Sequence, residues 1–189
     1  MKISLGVKPY LFPMPVLVIA TYNEDGTPDI MTMAWGGICD YTKVALNLDE
    51  NHATADNIKR RGAFTLAIAD AAHITEADFA GLVSWKQDPD KFKKTGLHAV
   101  KSAAVDAPVI EEFPLTLECT AAELQHTIAG FRVIGNIENV LADERILDEE
   151  GTVDVRKLDA AVFDSARPGY YRLGEKIADA FSCGKTHLK

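Results

Sequence analysis

Residues 16–37 constrain the fold most, because they spell two strands and the turn that joins them. Val16-Leu17-Val18-Ile19-Ala20 is a continuous apolar run, Asn23-Glu24-Asp25-Gly26 carries the turn signal, and residues 27–34 form the returning strand. Side-chain alternation on that second strand sets Asp29, Met31, Met33 and Trp35 on one face and Ile30, Thr32 and Ala34 on the other. The strand ends in Trp35-Gly36-Gly37, a large aromatic beside backbone that carries no side chains. A planar ring can approach such backbone closely. Taken alone, these residues read first as a core strand with a bulge at the glycines.

The rest of the chain continues in β fashion. Residues 43–48 alternate Val44, Leu46 and Leu48 against Lys43, Ala45 and Asn47, and residues 63–69 repeat the pattern with Phe64, Leu66 and Ile68. Between them, residues 54–61 read as a short helix with Thr54 as a cap, basic residues in the last turn and Gly62 as the stop. A second helix is expected over 74–84, a helical turn ending at Gly96, and another short helix over 153–162. Residues 115–124 and 127–141 are long strand candidates, the second interrupted by Gly130 and Gly135 at positions that suit bulges. A last strand falls at 170–173. Strands without a βαβ rhythm indicate a mainly β chain, a closed or partly closed barrel with peripheral helices. No repeat or linker divides it, so residues 1–189 are expected to form one domain.

Composition narrows the partners. A net charge of −8 would repel nucleic acid over most approaches, so an anionic ligand would need a local cluster of donors. Cys39, Cys119 and Cys183 are far apart and read as reduced thiols, not a zinc site. The start lacks the apolar core of a signal peptide, and no apolar run nears the ~20 residues that span a bilayer. A cytoplasmic protein without nucleic-acid or membrane partners is expected.

Familiar catalytic constellations do not emerge. There is no Gly-x-Ser-x-Gly elbow, the five histidines are scattered, and neither G-x-G-x-x-G nor a P-loop occurs. What remains is a possible anion site where Asn51-His52-Ala53-Thr54-Ala55-Asp56-Asn57 opens the first helix. Free amides and the positive dipole end attract a phosphate there, Thr54 and Asn57 can add donors, and Lys91 can supply charge. An ordinary capped helix beside a solvated lysine would also fit.

Taken in order, these pieces resemble the flavin reductase-like, FMN-binding split-barrel family, and within it the flavoredoxin-like branch. The marks are Pro15-Val16-Leu17-Val18, Asp25-Gly26-Thr27-Pro28-Asp29-Ile30-Met31-Thr32, Ala34-Trp35-Gly36-Gly37 and His52-Ala53-Thr54. They continue through Asp90-Lys91-Phe92-Lys93-Lys94-Thr95-Gly96-Leu97, Ala107-Pro108-Val109-Ile110-Glu111-Glu112, Leu117-Glu118-Cys119, His126-Thr127-Ile128 and Tyr171-Arg172-Leu173-Gly174-Glu175. The resemblance implies a Greek-key split β-barrel and a homodimer with FMN near the subunit interface. It also implies Trp35 beside the isoalloxazine, with Thr32, Met33 and Ala34 at the ring's polar edge. Thr54 and Lys91 would serve as phosphate ligands with Ala55 nearby, and His126 would lie near the flavin or its ribityl chain.

One residue departs from the family, which often has Asn where this chain has Asp29. A carboxylate can accept from the flavin N3–H but cannot donate to a ring carbonyl. The function implied is an oxidoreductase that passes reducing equivalents from NAD(P)H or a redox partner through FMN. An FMN-binding electron-transfer or carrier protein without NAD(P)H activity is the alternative, and a split-barrel module holding another ligand is a third.

Overall fold

The computed structural model describes every residue except Ala129 and Lys189. Its elements are β1 (Met14–Pro15), β2 (Leu17–Tyr22), β3 (Pro28–Met33), β4 (Gly36–Asp40), β5 (Lys43–Leu48), α1 (Ala53–Arg61), β6 (Ala63–Ile68), α2 (Ile74–Leu82) and α3 (Lys91–Thr95). Then follow β7 (Ala99–Lys101), β8 (Pro108–Ile110), β9 (Leu115–Thr127), β10 (Gly130–Ala142), α4 (Val155–Leu158), β11 (Ala161–Asp164) and β12 (Gly169–Arg172). Among the described residues, no helix is long and apolar enough to cross a membrane.

Seven strands form one antiparallel sheet in the order β3-β2-β6-β9-β10-β5-β4. Its two edges, β3 and β4, are separated in the chain only by Ala34 and Trp35, so the sheet must curl until they meet. The Asn47 backbone amide of β5 donates to the Trp35 carbonyl at 2.9 Å, which carries the β4–β5 ladder back to the corner between β3 and β4. Gly36 makes the closure possible: a Cβ there would stand 2.8 Å from Leu46 Cδ2 and 3.2 Å from Leu17 Cδ1. The result is the split β-barrel, with smaller sheets β1-β11-β12 and β7-β8 outside it.

The barrel interior holds Leu17, Ile19, Met31, Leu46, Phe64, Cys119 and Phe131, among others. A second cluster lies on the outer face of β2, β3 and β6, where Val18, Ala20, Ile30 and Ala67 meet Ala77 and Ala80 of α2. Both faces of β2 are therefore buried, which explains why residues 16–20 are apolar throughout instead of alternating. The β2–β3 turn is locked by the Asp25 carboxylate, which accepts from the Thr27 amide at 2.9 Å. Gly26 there has φ +83°, a value glycine adopts without a Cβ penalty.

Some local expectations shift. Residues 153–162 do not form one helix: α4 covers only Val155–Leu158, Asp159 turns the chain at φ 48°, and β11 begins at Ala161. Pairing with β1 and β12 outweighs the local pattern there. The stretch after Trp35 is not a mere bulge but a strand, β4, paired with β5. Gly135 does sit at a register shift between β9 and β10. A Cβ at Gly135 would lie 2.6 Å from Phe64 Cζ in the barrel core.

Candidate functional site

A cleft of about 360 Å³ opens between β3, the start of α1, the end of α2 and the loop that follows it. Asp29, Thr32, His52, Thr54 and Lys91 line it together, although they are spread over sixty residues of sequence. The hairpin register sets Asp29 opposite Thr21, at the end of β3 nearest α1. Thr54 is the second residue of α1, and Lys91 is the first of α3, which Gly96 closes in the left-handed region at φ +73°.

Asp29, Thr54 and Lys91 form a buried polar cluster, exposed by only 1%, 1% and 2%. The Thr54 hydroxyl donates to Asp29 Oδ2 at 2.9 Å. Lys91 Nζ donates to the Ala80 carbonyl at 3.0 Å and lies 3.5 Å from Asp29 Oδ1. Burial pushes the Asp29 carboxyl up and the Lys91 ammonium down, and their mutual attraction opposes both shifts. His52 Nδ1 is buried at this end of the cleft without a hydrogen-bond partner, and Asp29 Oδ1 has the Lys91 ammonium as its one counterpart.

The helix start beside this cluster is open. His52, not Thr54, occupies the N-cap position, and its side chain makes no cap bond. Thr54 lies within the first turn with its hydroxyl committed to Asp29, so it cannot cap the helix. The helix start therefore has no side-chain cap, and the positive end of the helix dipole is directed at the cleft.

A second recess of about 190 Å³ shares Thr32, Gly81 and Leu82 with the cleft and continues past the end of α2. Met33, Ala34 and Trp35 line it, opposite Phe163 and Tyr170. Trp35 is 51% exposed, with its ring 6.4 Å from Phe163, which in turn lies 5.9 Å from Tyr170. The Tyr170 hydroxyl donates to Asp78 Oδ1 at 2.6 Å, and burial together with that carboxylate pushes its pKa up to about 12. Strict alternation set Trp35 on the face of Met31, but β3 ends at Met33 and the ring turns to the outer layer. The exposure also separates Trp35 from a core residue.

Three other expected site residues lie elsewhere. Ala55 is fully buried in the barrel core and does not line the cleft. Asn57 is buried too: its amide donates to Thr21 Oγ1 at 3.1 Å and Asn23 Oδ1 at 2.9 Å, tying α1 to the hairpin. His126 projects from the β9 arm, largely exposed, with Nδ1 3.0 Å from a Glu50 carboxylate oxygen. Asp29 itself sits at the buried polar end beside α1, where its hydrogen bond is to Thr54.

Trp85, which was not among the residues expected at the site, also lines the cleft. The available signal was an aromatic within a loop between two helices, bracketed by Ser84 and Asp88-Pro89. Phe163 and Tyr170 carried no such signal, because the pairing of β11 with β1 that brings them to Trp35 is long-range.

A curled antiparallel sheet with peripheral helices and an anion-ready cleft at its open seam defines a flavin reductase-like split-barrel protein. The model of the flavin reductase like domain matches residues 10–161, and the chain belongs to that family. Flavoredoxin of Desulfovibrio vulgaris (Miyazaki F) is 39% identical and superposes with a TM-score of 0.90 over 98% of this chain and 100% of that one. Flavoredoxin from Methanosarcina acetivorans shares the fold at 22% identity and a TM-score of 0.89, over 99% of each chain. So does an FMN-binding domain of a flavin reductases-like enzyme from Shewanella baltica OS155, at 19% identity and a TM-score of 0.74 over 87% of this chain and 88% of that one.

Proposed function

We propose that this flavoprotein is an oxidoreductase that binds FMN in the cleft and passes reducing equivalents through it, from NAD(P)H or a redox partner. The observation that carries the reading is the buried end of the cleft, where an uncapped helix start meets Lys91. A site of about 360 Å³ falls within the ~300–1,000 Å³ typical of cofactor pockets. FMN is the cofactor, because one anion site is built and no adenosine-diphosphate fingerprint is present. Bound FMN supplies the hydride and electron chemistry, which agrees with the lack of a nucleophile–base pair in the cleft.

This chain's residues bind and orient. The α1 amides and Lys91 hold the phosphate, and His52 and Thr54 border the tail. Trp35 borders the ring from the adjoining recess, with the backbone of Thr32, Met33 and Ala34 beside the ring's polar edge. A homodimer completes the site. Exposed Leu124 and His126 at the end of β9 and Ile128 just after it support this reading, as apolar and polar surface that a second subunit would cover. The protein works in the cytoplasm.

Extraction of the pigment from purified protein, with chromatographic identification, tests the cofactor: FMN is expected, and FAD or no flavin would overturn the reading. Anaerobic bleaching by NADH or NADPH separates an NAD(P)H-dependent enzyme from a carrier reduced only by another protein. Light scattering should give the dimer mass.

A further inference from the structure

We propose that Asp78 sets the redox balance of the bound flavin: its carboxylate, held at the ring end of the site, disfavours the anionic reduced ring and lowers the flavin potential. This inference rests on the flavin reading above and gives a role to a residue outside the cleft that holds the phosphate.

Asp78 is carried to the recess by α2 and fixed there from both sides. The Thr32 hydroxyl of β3 donates to the carbonyl of Ala77, the residue just before it. One turn further on, α2 runs so close to β3 that a Cβ on Gly81 would stand 3.4 Å from Thr32 Cβ. From the other side, the Tyr170 hydroxyl of β12 donates to Asp78 Oδ1 at 2.6 Å. The carboxylate is thus partly buried in the wall of the recess that Met33, Ala34 and Trp35 also line.

Charge at this end of the site is one-sided. Among the described residues lining the recess, Asp78 alone is charged, and no lysine, arginine or histidine offsets it. Lys86 and Lys91 line the cleft instead, beside the helix start. Side-chain donors are also nearly exhausted. Thr32 spends its hydroxyl proton on the Ala77 carbonyl and Tyr170 spends its own on Asp78, which leaves the neutral indole N–H of Trp35. Reduction of FMN takes up two electrons with either two protons or one, and with one the ring is an anion. A fixed carboxylate in partly desolvated surroundings raises the free energy of that anion and leaves the neutral oxidised ring nearly unaffected. A shift in potential is the difference in affinity for the two redox forms, so oxidised flavin is held more tightly than reduced flavin.

Spectroelectrochemical titration of the flavin-loaded protein, with free FMN as reference, tests this. The native protein should bind oxidised FMN at least tenfold more tightly than reduced FMN, a potential about 30 mV or more below that of free FMN. A smaller preference would overturn the proposal. Asp78→Asn deletes the charge and keeps an acceptor for the Tyr170 hydroxyl, so it should move the reduction equilibrium tenfold or more toward reduced flavin; a smaller shift would overturn the role. Asp78→Glu keeps the charge and should stay within tenfold of the native protein, and a larger shift would assign the effect to packing. If Asp78→Asn fails to fold, the native potential decides alone. Absence of any bound flavin would defeat the functional reading itself, whereas bound flavin at an unshifted potential defeats only the role of Asp78.

Discussion

Replacing Lys91 by Met should show how strongly the Asp29–Lys91 pair is coupled to folding. Lys91 is 2% exposed, so Met preserves most of the packing while deleting the ammonium and its bond to the Ala80 carbonyl. Asp29 then keeps Thr54 as its side-chain donor and no counter-charge. A buried carboxylate left in that state takes up a proton. Protonating it at pH 7, against an unfolded pKa of about 3.9, costs about 4 kcal/mol. That agrees with the ~3–5 kcal/mol lost when a buried pair is broken from one side. The sign in pH follows. Asp29 in the variant has a folded pKa above its unfolded one, so the folded state binds more protons. The variant recovers up to about 1.4 kcal/mol per unit as pH falls from 7 toward 5, and the native chain less, because Lys91 holds its Asp29 ionised further down in pH. Urea unfolding of both flavin-free proteins at pH 5, 6 and 7 reads this difference. A loss below about 0.5 kcal/mol at pH 7, or one that does not change with pH, would refute a buried ion pair.

Other outcomes separate binding from folding. Trp35→Ala should lower apo stability by no more than about 2 kcal/mol, since half of the residue is already exposed, where a core tryptophan would lose ~3–5 kcal/mol. Isothermal titration should show FMN affinity weakened by about 1–3 kcal/mol in the same variant, as for a lost stacked aromatic. Asn57→Ala strands Asn23 Oδ1 and Thr21 in buried surroundings and should cost ~1–3 kcal/mol in chemical unfolding, with FMN affinity per folded molecule intact. Gly135→Ala forces a methyl against Phe64 and should destabilise by about 1–3 kcal/mol, read as a lower melting temperature. FMN should quench emission from Trp35 and also from Trp85, so the Trp35→Phe protein should retain quenching.

The barrel was legible where local signals and tertiary demands coincide. Residues 43–48 alternate because one face of β5 lines the core, and α1 ends where Gly62 supplies a left-handed turn. The phosphate end was legible in part, because a helix start and a nearby lysine leave local traces. Pairing of that lysine with Asp29 was not, since it requires β3 and α3 to meet across sixty residues. Asn57 illustrates the converse: a donor at the right helical position was drawn away by Thr21 and Asn23 across the barrel end. Nor could alternation anticipate Trp35, because the strand it was counted on stops two residues earlier and the seam redirects the chain.

The central claim is that a flavin occupies the cleft between β3, α1 and the end of α2. Amide chemical-shift mapping of the ¹⁵N-labelled flavin-free protein during titration with FMN tests it most directly. The largest changes should fall on His52, Ala53 and Thr54, on Thr32 to Trp35, and on the loop from Val83 to Lys86. Saturating changes confined to the recess formed by Val155, Arg156, Leu173 and Gly174, with the α1 amides unmoved, would contradict it.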